Sequence, residues 1–89
     1  MTFDELKKEV NDSLLNSKPN DWRDGQFVFN YINAMYGVAR YVQFQRNVDC
    51  FYDDSQIDEF VKECAIAITQ IEDDAIMIQK SLNSLKNVL

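Results

Sequence analysis

Residues 57–89 read IDEFVKECAIAITQIEDDAIMIQKSLNSLKNVL. Within this stretch Ile57, Val61, Cys64, Ile68, Ile71, Ala75, Ile78, Leu82, Leu85 and Leu89 follow one another at alternating spacings of four and three, with no Gly or Pro among them. That rhythm places every one of them on a single stripe of an α-helix and marks a heptad seam. A helix this long runs roughly 50 Å, whereas a compact chain of this length has a radius of gyration of only about 12 Å. A continuous helix is therefore expected to overhang its own domain and to find a partner along Ile71, Ile78, Leu82 and Leu85. The competing arrangement starts a fourth helix at Glu72-Asp73-Asp74 and folds the tail back antiparallel. The unbroken heptad phase across that point favours the continuous helix.

The flanks of the stripe change along its length. Phe60, Ala65, Ile66, Ala67, Ile76 and Met77 lie off the seam, so the first half is apolar enough to touch more than one neighbour. After Ile78 the flanks turn polar, leaving a narrow coiled-coil-like edge. Ile57, Ile71 and Ile78 occupy d positions, and isoleucine at d disfavours a parallel dimer and tilts toward more chains.

Working toward the N-terminus, Thr2-Phe3-Asp4-Glu5 has the form of a capping box, with Thr2 as N-cap. Phe3, Leu6, Val10 and Leu14 then mark one apolar face. Pro19 breaks the helix, and Asn20 or Asp21 is placed to cap the next. From Trp22 the residues Phe27, Tyr31, Ala34 and Val38 form one stripe, with Val28, Ile32 and Met35 beside it. Gly37 either ends that helix or bends it. Arg46 to Asp53 reads as a loop, after which Asp54 or Ser55 caps the long helix. The expectation is an all-α fold of one domain over residues 1–89. Its three main helices run over about 2–16, 22–44 with a bend near Gly37, and 55–88.

Composition narrows the chemistry. The 89 residues include no His, two Cys, two Gly and one Pro, and carry a net charge of −6. Without His the usual general base, the commonest transition-metal ligand and the Ser–His and Cys–His nucleophile pairs are all missing. No Gly-rich phosphate loop occurs. The carboxylates Asp49, Asp53, Asp54, Asp58 and Glu59 lack the spacing and the central Gly of a calcium loop. Catalytic residues, metal and cofactor are accordingly not expected. Nine of the fifteen acids lie in residues 47–89 against three lysines there; such a surface repels phosphate backbones and argues against direct nucleic-acid binding. No export signal or membrane-spanning run is visible, so Cys50 and Cys64 are expected to be reduced and the protein cytoplasmic.

Nine of the eleven aromatic residues fall between Trp22 and Tyr52, together with Arg23, Arg40 and Arg46. Arginines beside aromatic rings suit anion or base binding, and the same rings suit core packing. Within this region Arg23-Asp24-Gly25-Gln26-Phe27-Val28-Phe29-Asn30-Tyr31, followed by Asp49-Cys50-Phe51-Tyr52-Asp53, resembles a pattern in short uncharacterised bacterial and phage proteins. In those, R-x-G-Q-x-x-F-N precedes D-P-F-Y or D-C-F-Y and then a helix. The resemblance covers residues 20–60 and implies no activity. The stretch between the two segments lacks the proline associated with the pattern. Physically, Gly25 permits close approach at the start of the second helix. Arg23 is placed to pair with Asp49, Gln26 and Asn30 to bond the loop backbone, and Phe51 and Tyr52 to pack on the helix.

Three functions are compatible with these features. The first is a non-enzymatic interaction protein of bacterial or phage origin, a homo-oligomer through its C-terminal helix whose acidic face engages a basic protein. The second is a binder of a nucleotide or other anion that uses the aromatic segment 22–52 with Arg23, Arg40 or Arg46; Arg23, Gln26, Asn30, Asp49, Tyr52, Arg40 and Arg46 form either that ligand site or a structural clamp. The third is an acidic inhibitor of a nucleic-acid-binding protein.

Overall fold

The Thr2 hydroxyl accepts a hydrogen bond from Glu5 N at 3.2 Å, and Thr2 N donates to Glu5 Oε1 at 3.1 Å. This closed capping box starts α1, Phe3–Ser17, and the Thr2 bonds hold the Glu5 carboxyl below its usual range. Leu6 and Val10 are fully buried on the inner face, with Phe3 and Leu14 packed at its margins. The helix stops at Lys18, which is extended ahead of Pro19, as a residue before proline prefers. The structure, a computed structural model, describes residues 1–88.

A turn closed by Trp22 N donating to Pro19 O occupies residues 19–22. The second helix, α2, Asp24–Tyr36, therefore begins later than the spacing suggests, and its N-cap, Arg23, makes no side-chain cap bond. Neither Asn20 nor Asp21 serves as the cap, because the turn has already consumed them. At the other end Gly37 adopts φ 71° and its N–H donates to Ile32 O and Asn33 O. A left-handed residue bonding backward in this way terminates a helix. The 22–44 segment is thus two helices rather than one bent one, and α3 spans Ala39–Gln45.

Residues 46–53 form the expected loop. Asn47, at φ 55°, is the one described non-glycine residue in the left-handed region, which Asn tolerates better than most. A single 3₁₀ turn, Asp54–Gln56, leads into α4, Ile57–Val88. This helix passes through Glu72-Asp73-Asp74 without a break, which settles the choice between a continuous rod and a doubled-back tail. At 1.5 Å per residue it is about 48 Å long. The molecule measures 57 × 27 × 19 Å with a radius of gyration of 15.9 Å, well above the value of about 12 Å for a compact chain of its size.

The core lies where α4 meets α1, α2 and α3. Leu6, Val10, Val28, Ile32, Val42, Phe60, Val61 and Cys64 are fully buried there. Phe60 of α4 stacks on Phe29 of α2 at 5.5 Å, and Phe51 of the loop meets Phe29 edge-on at 5.5 Å. Ion pairs Lys7–Asp58 at 2.7 Å and Arg46–Glu63 at 3.8 Å fasten the first turns of α4 to α1 and to the end of α3.

Two hydrogen bonds to one carboxylate join α1 to α2. Tyr31 and Tyr36 both donate their hydroxyls to the Glu9 carboxylate. That bond, with burial, raises the Tyr36 phenol to about 12. Charge-assisted bonds of this kind are stronger than neutral ones. Glu9→Ala is expected to cost about 1–2 kcal/mol of unfolding free energy, read from urea denaturation; a change under about 0.3 kcal/mol refutes the role.

Candidate interaction surface

Burial along α4 changes abruptly at one point. Val61, Cys64, Ala67 and Ile68 are buried, whereas every described side chain from Gln70 to Lys86 is exposed. The boundary falls where Thr69 Oγ1 donates to Met1 O at 2.9 Å and the Met1 ammonium lies 3.7 Å from Glu72. Beyond it the seam continues in register into solvent: Ile71 is 57% exposed, Ile78 62%, Leu82 47% and Leu85 58%. Isolated apolar side chains on a surface are ordinary, but a contiguous apolar row on one helix edge is not. Ile76 and Met77, off the seam, are also exposed, so the extra neighbours expected of α4 are met only in its first half, by Phe60, Ala65 and Ala67. Leu89, the last seam position, lies outside the described residues.

The second candidate region is the junction of α2 with the 46–56 segment. Its centre is Gly25. A Cβ added there would stand 2.0 Å from Cys50 O and 2.7 Å from Asp54 Oδ1, so only glycine lets the loop approach. Asp54 accepts from Gly25 N at 2.9 Å. It therefore caps α2 from a distant part of the chain, where the sequence suggests a cap for α4. Arg23 donates to Phe51 O and sits 3.9 Å from Asp54. Its ionic partner is thus Asp54 and not Asp49. Asp49 instead organises its own loop, accepting from Phe51 N at 2.8 Å and from Gln43 Nε2 at 2.9 Å. Gln26 and Asn30 are half-buried and contribute no hydrogen bond to the junction among the described contacts. Tyr52 does not pack on α2. It lies edge-on against Phe51 and is 76% exposed.

Arg40 and Arg46 separate from this cluster. Arg46 pairs with Glu63, and Arg40 lies exposed on α3. Arg40, Gln43, Phe44, Phe51 and Tyr52 line an open, shallow groove floored by Phe29. The groove brings together two of the seven residues singled out from this region, Arg40 and Tyr52, and leaves Arg23 and Arg46 elsewhere.

Cys50 and Cys64 are free and buried. Burial, reinforced by Asp49, pushes the Cys50 thiol up to about 12, and burial pushes Cys64 up as well. Neither is poised as a nucleophile, since the thiolate is the reactive form. Among the described residues no group of three carboxylates or thiols is placed to hold a metal, and no helix is long and apolar enough to cross a membrane.

No family model matches the chain, and neither a curated protein nor a solved structure matches it.

Proposed function

We propose that this chain is a small, non-enzymatic self-association module that assembles through the overhanging half of α4. The observation that carries the reading is the exposed continuation of the seam, Ile71, Ile78, Leu82 and Leu85, on a helix already anchored by its buried half. Fully burying such a side chain is worth about 1.5–3 kcal/mol, and roughly half of that remains to be gained at a half-exposed position. Summed over the seam of two chains, this gain exceeds the lower estimates of association cost, about 4 kcal/mol. The polar flanks Gln79, Ser81, Asn83 and Ser84 confine the contact to one edge, as in a coiled coil.

Light scattering coupled to size exclusion tests the reading directly. At about 100 µM, a concentration suited to a micromolar contact, the expected mass is an integral multiple of 10.4 kDa above one. A clean monomer at that concentration overturns it.

A further inference from the structure

The exposed stripe is the same one whose earlier members, Val61, Cys64 and Ile68, are buried against other helices of their own chain. A straight helix turns a heptad stripe by only about 20° per heptad, so Ile78 lies within about 40° of the side on which Cys64 is covered. A second α4 laid on Ile71–Leu85 therefore lies on the side of the helix where α1–α3 sit, just beyond the end of the packed body. Helices pack with axes about 8–10 Å apart. In a parallel, in-register pair, residues 57–70 of the second copy would fall into the space that α1–α3 already fill. In an antiparallel pair the second copy brings only its C-terminal end up to the body, and its own body stands at the far end.

Charge points the same way. Glu72, Asp73 and Asp74 lie at the start of the overhang, and Lys86 lies at its end. Parallel pairing sets two acidic triplets side by side. Antiparallel pairing sets each acidic start against a basic end. Glu72 and Lys86 share the e position of the heptad, and e faces e across an antiparallel pair.

Resting on the self-association reading above, we infer that the partner is a second copy of this chain, paired antiparallel through residues 71–86. Ile78 of each copy faces Leu82 of the other, and Ala75 faces Leu85, so a small side chain meets a large one. Glu72 of each copy lies beside Lys86 of the other.

Two measurements test the arrangement. Small-angle scattering on the peak sized by light scattering reads the length. Two 57 Å molecules overlapping along these residues span about 90 Å, against about 60 Å side by side. A two-chain mass with a maximum dimension near 90 Å supports the inference. A two-chain mass near 60 Å, or a three-chain mass, overturns the antiparallel pair and leaves self-association standing, and a one-chain mass overturns both. Charge reversal gives the second readout by sedimentation equilibrium. Lys86→Glu is expected to raise the dissociation constant roughly tenfold, and Glu72→Lys added to it to recover most of the loss. Weakening with no recovery, or no weakening, counts against the Glu72–Lys86 contact and with it the register.

Discussion

Ile78→Asp is expected to turn the assembled protein into a monomer while leaving the packed body intact. The side chain is 62% exposed within its own chain, so the core loses nothing, and exchanging Ile for Asp costs a helix only a few tenths of a kcal/mol. In the assembled state the same position carries a carboxylate into an apolar seam twice over, once from each copy, with no partner for either. An unpaired buried charge is among the costliest groups a contact can contain. The dissociation constant should rise by at least about 100-fold, equivalent to about 2.7 kcal/mol. Sedimentation equilibrium reads the mass, and thermal melting by circular dichroism at low concentration reads the body. Lys80→Gln, on the opposite face of the same helix, should leave the mass unchanged. An unaltered mass for Ile78→Asp removes the seam as the contact; loss of the fold in that variant would mean that the overhang is part of the core.

Gly25→Ala should produce the largest loss of stability of any single methyl group added to this chain. The new Cβ would stand 2.0 Å from Cys50 O, a main-chain atom. The loop has little room to retreat. Cys50 is fully buried, its Sγ donates to Gly25 O at 3.3 Å, and its carbonyl accepts from Asp53 N. Relief therefore means prising the 49–54 segment off α2, which also withdraws Asp54 from Gly25 N and Arg23 from Phe51 O. Overpacking and a lost cap together should cost about 3 kcal/mol or more, a fall in midpoint of about 10–20 °C for a chain of this length. Asp54→Ala, which removes the cap and the exposed Arg23 ion pair without adding a clash, should cost only about 1–2 kcal/mol. If Gly25→Ala melts like the unmodified chain, the close approach is not a constraint on the fold.

What the sequence made visible divides along the range of the interactions involved. The capping box at Thr2 and Glu5 and the heptad phase of α4 are each decided within a few residues and could be read in one dimension, whereas Gly37 was left as either a stop or a bend and only its φ of 71° makes it a stop. The continuity of α4 through Glu72-Asp73-Asp74 also followed from local phase. The turn at residues 19–22 was missed because Asn20 and Asp21 are good caps in isolation, and only the Trp22 N–H bond to Pro19 O shows them spent. The partner of Arg23 was placed at Asp49 because that residue opens the second matching segment. Folding instead directs Asp49 into its own loop and delivers Asp54 to the start of α2. A glycine at the second position of a helix was the available signal: a helix start bare enough to admit another stretch of backbone needs an acceptor elsewhere for its free N–H groups, here Asp54. The bridge from Tyr31 and Tyr36 to Glu9 left no trace at all, since nothing local distinguishes Glu9 from the other acids of α1.

A free peptide with the sequence of the overhang would be near the lower limit at which an isolated helix persists in water. The same residues in the intact chain escape that limit, because the first turns of α4 are nucleated and held by the packed body, leaving only propagation outward. Each molecule in effect carries its own template, so the proposed pairing would join largely preformed rods, without coupled folding from a coil.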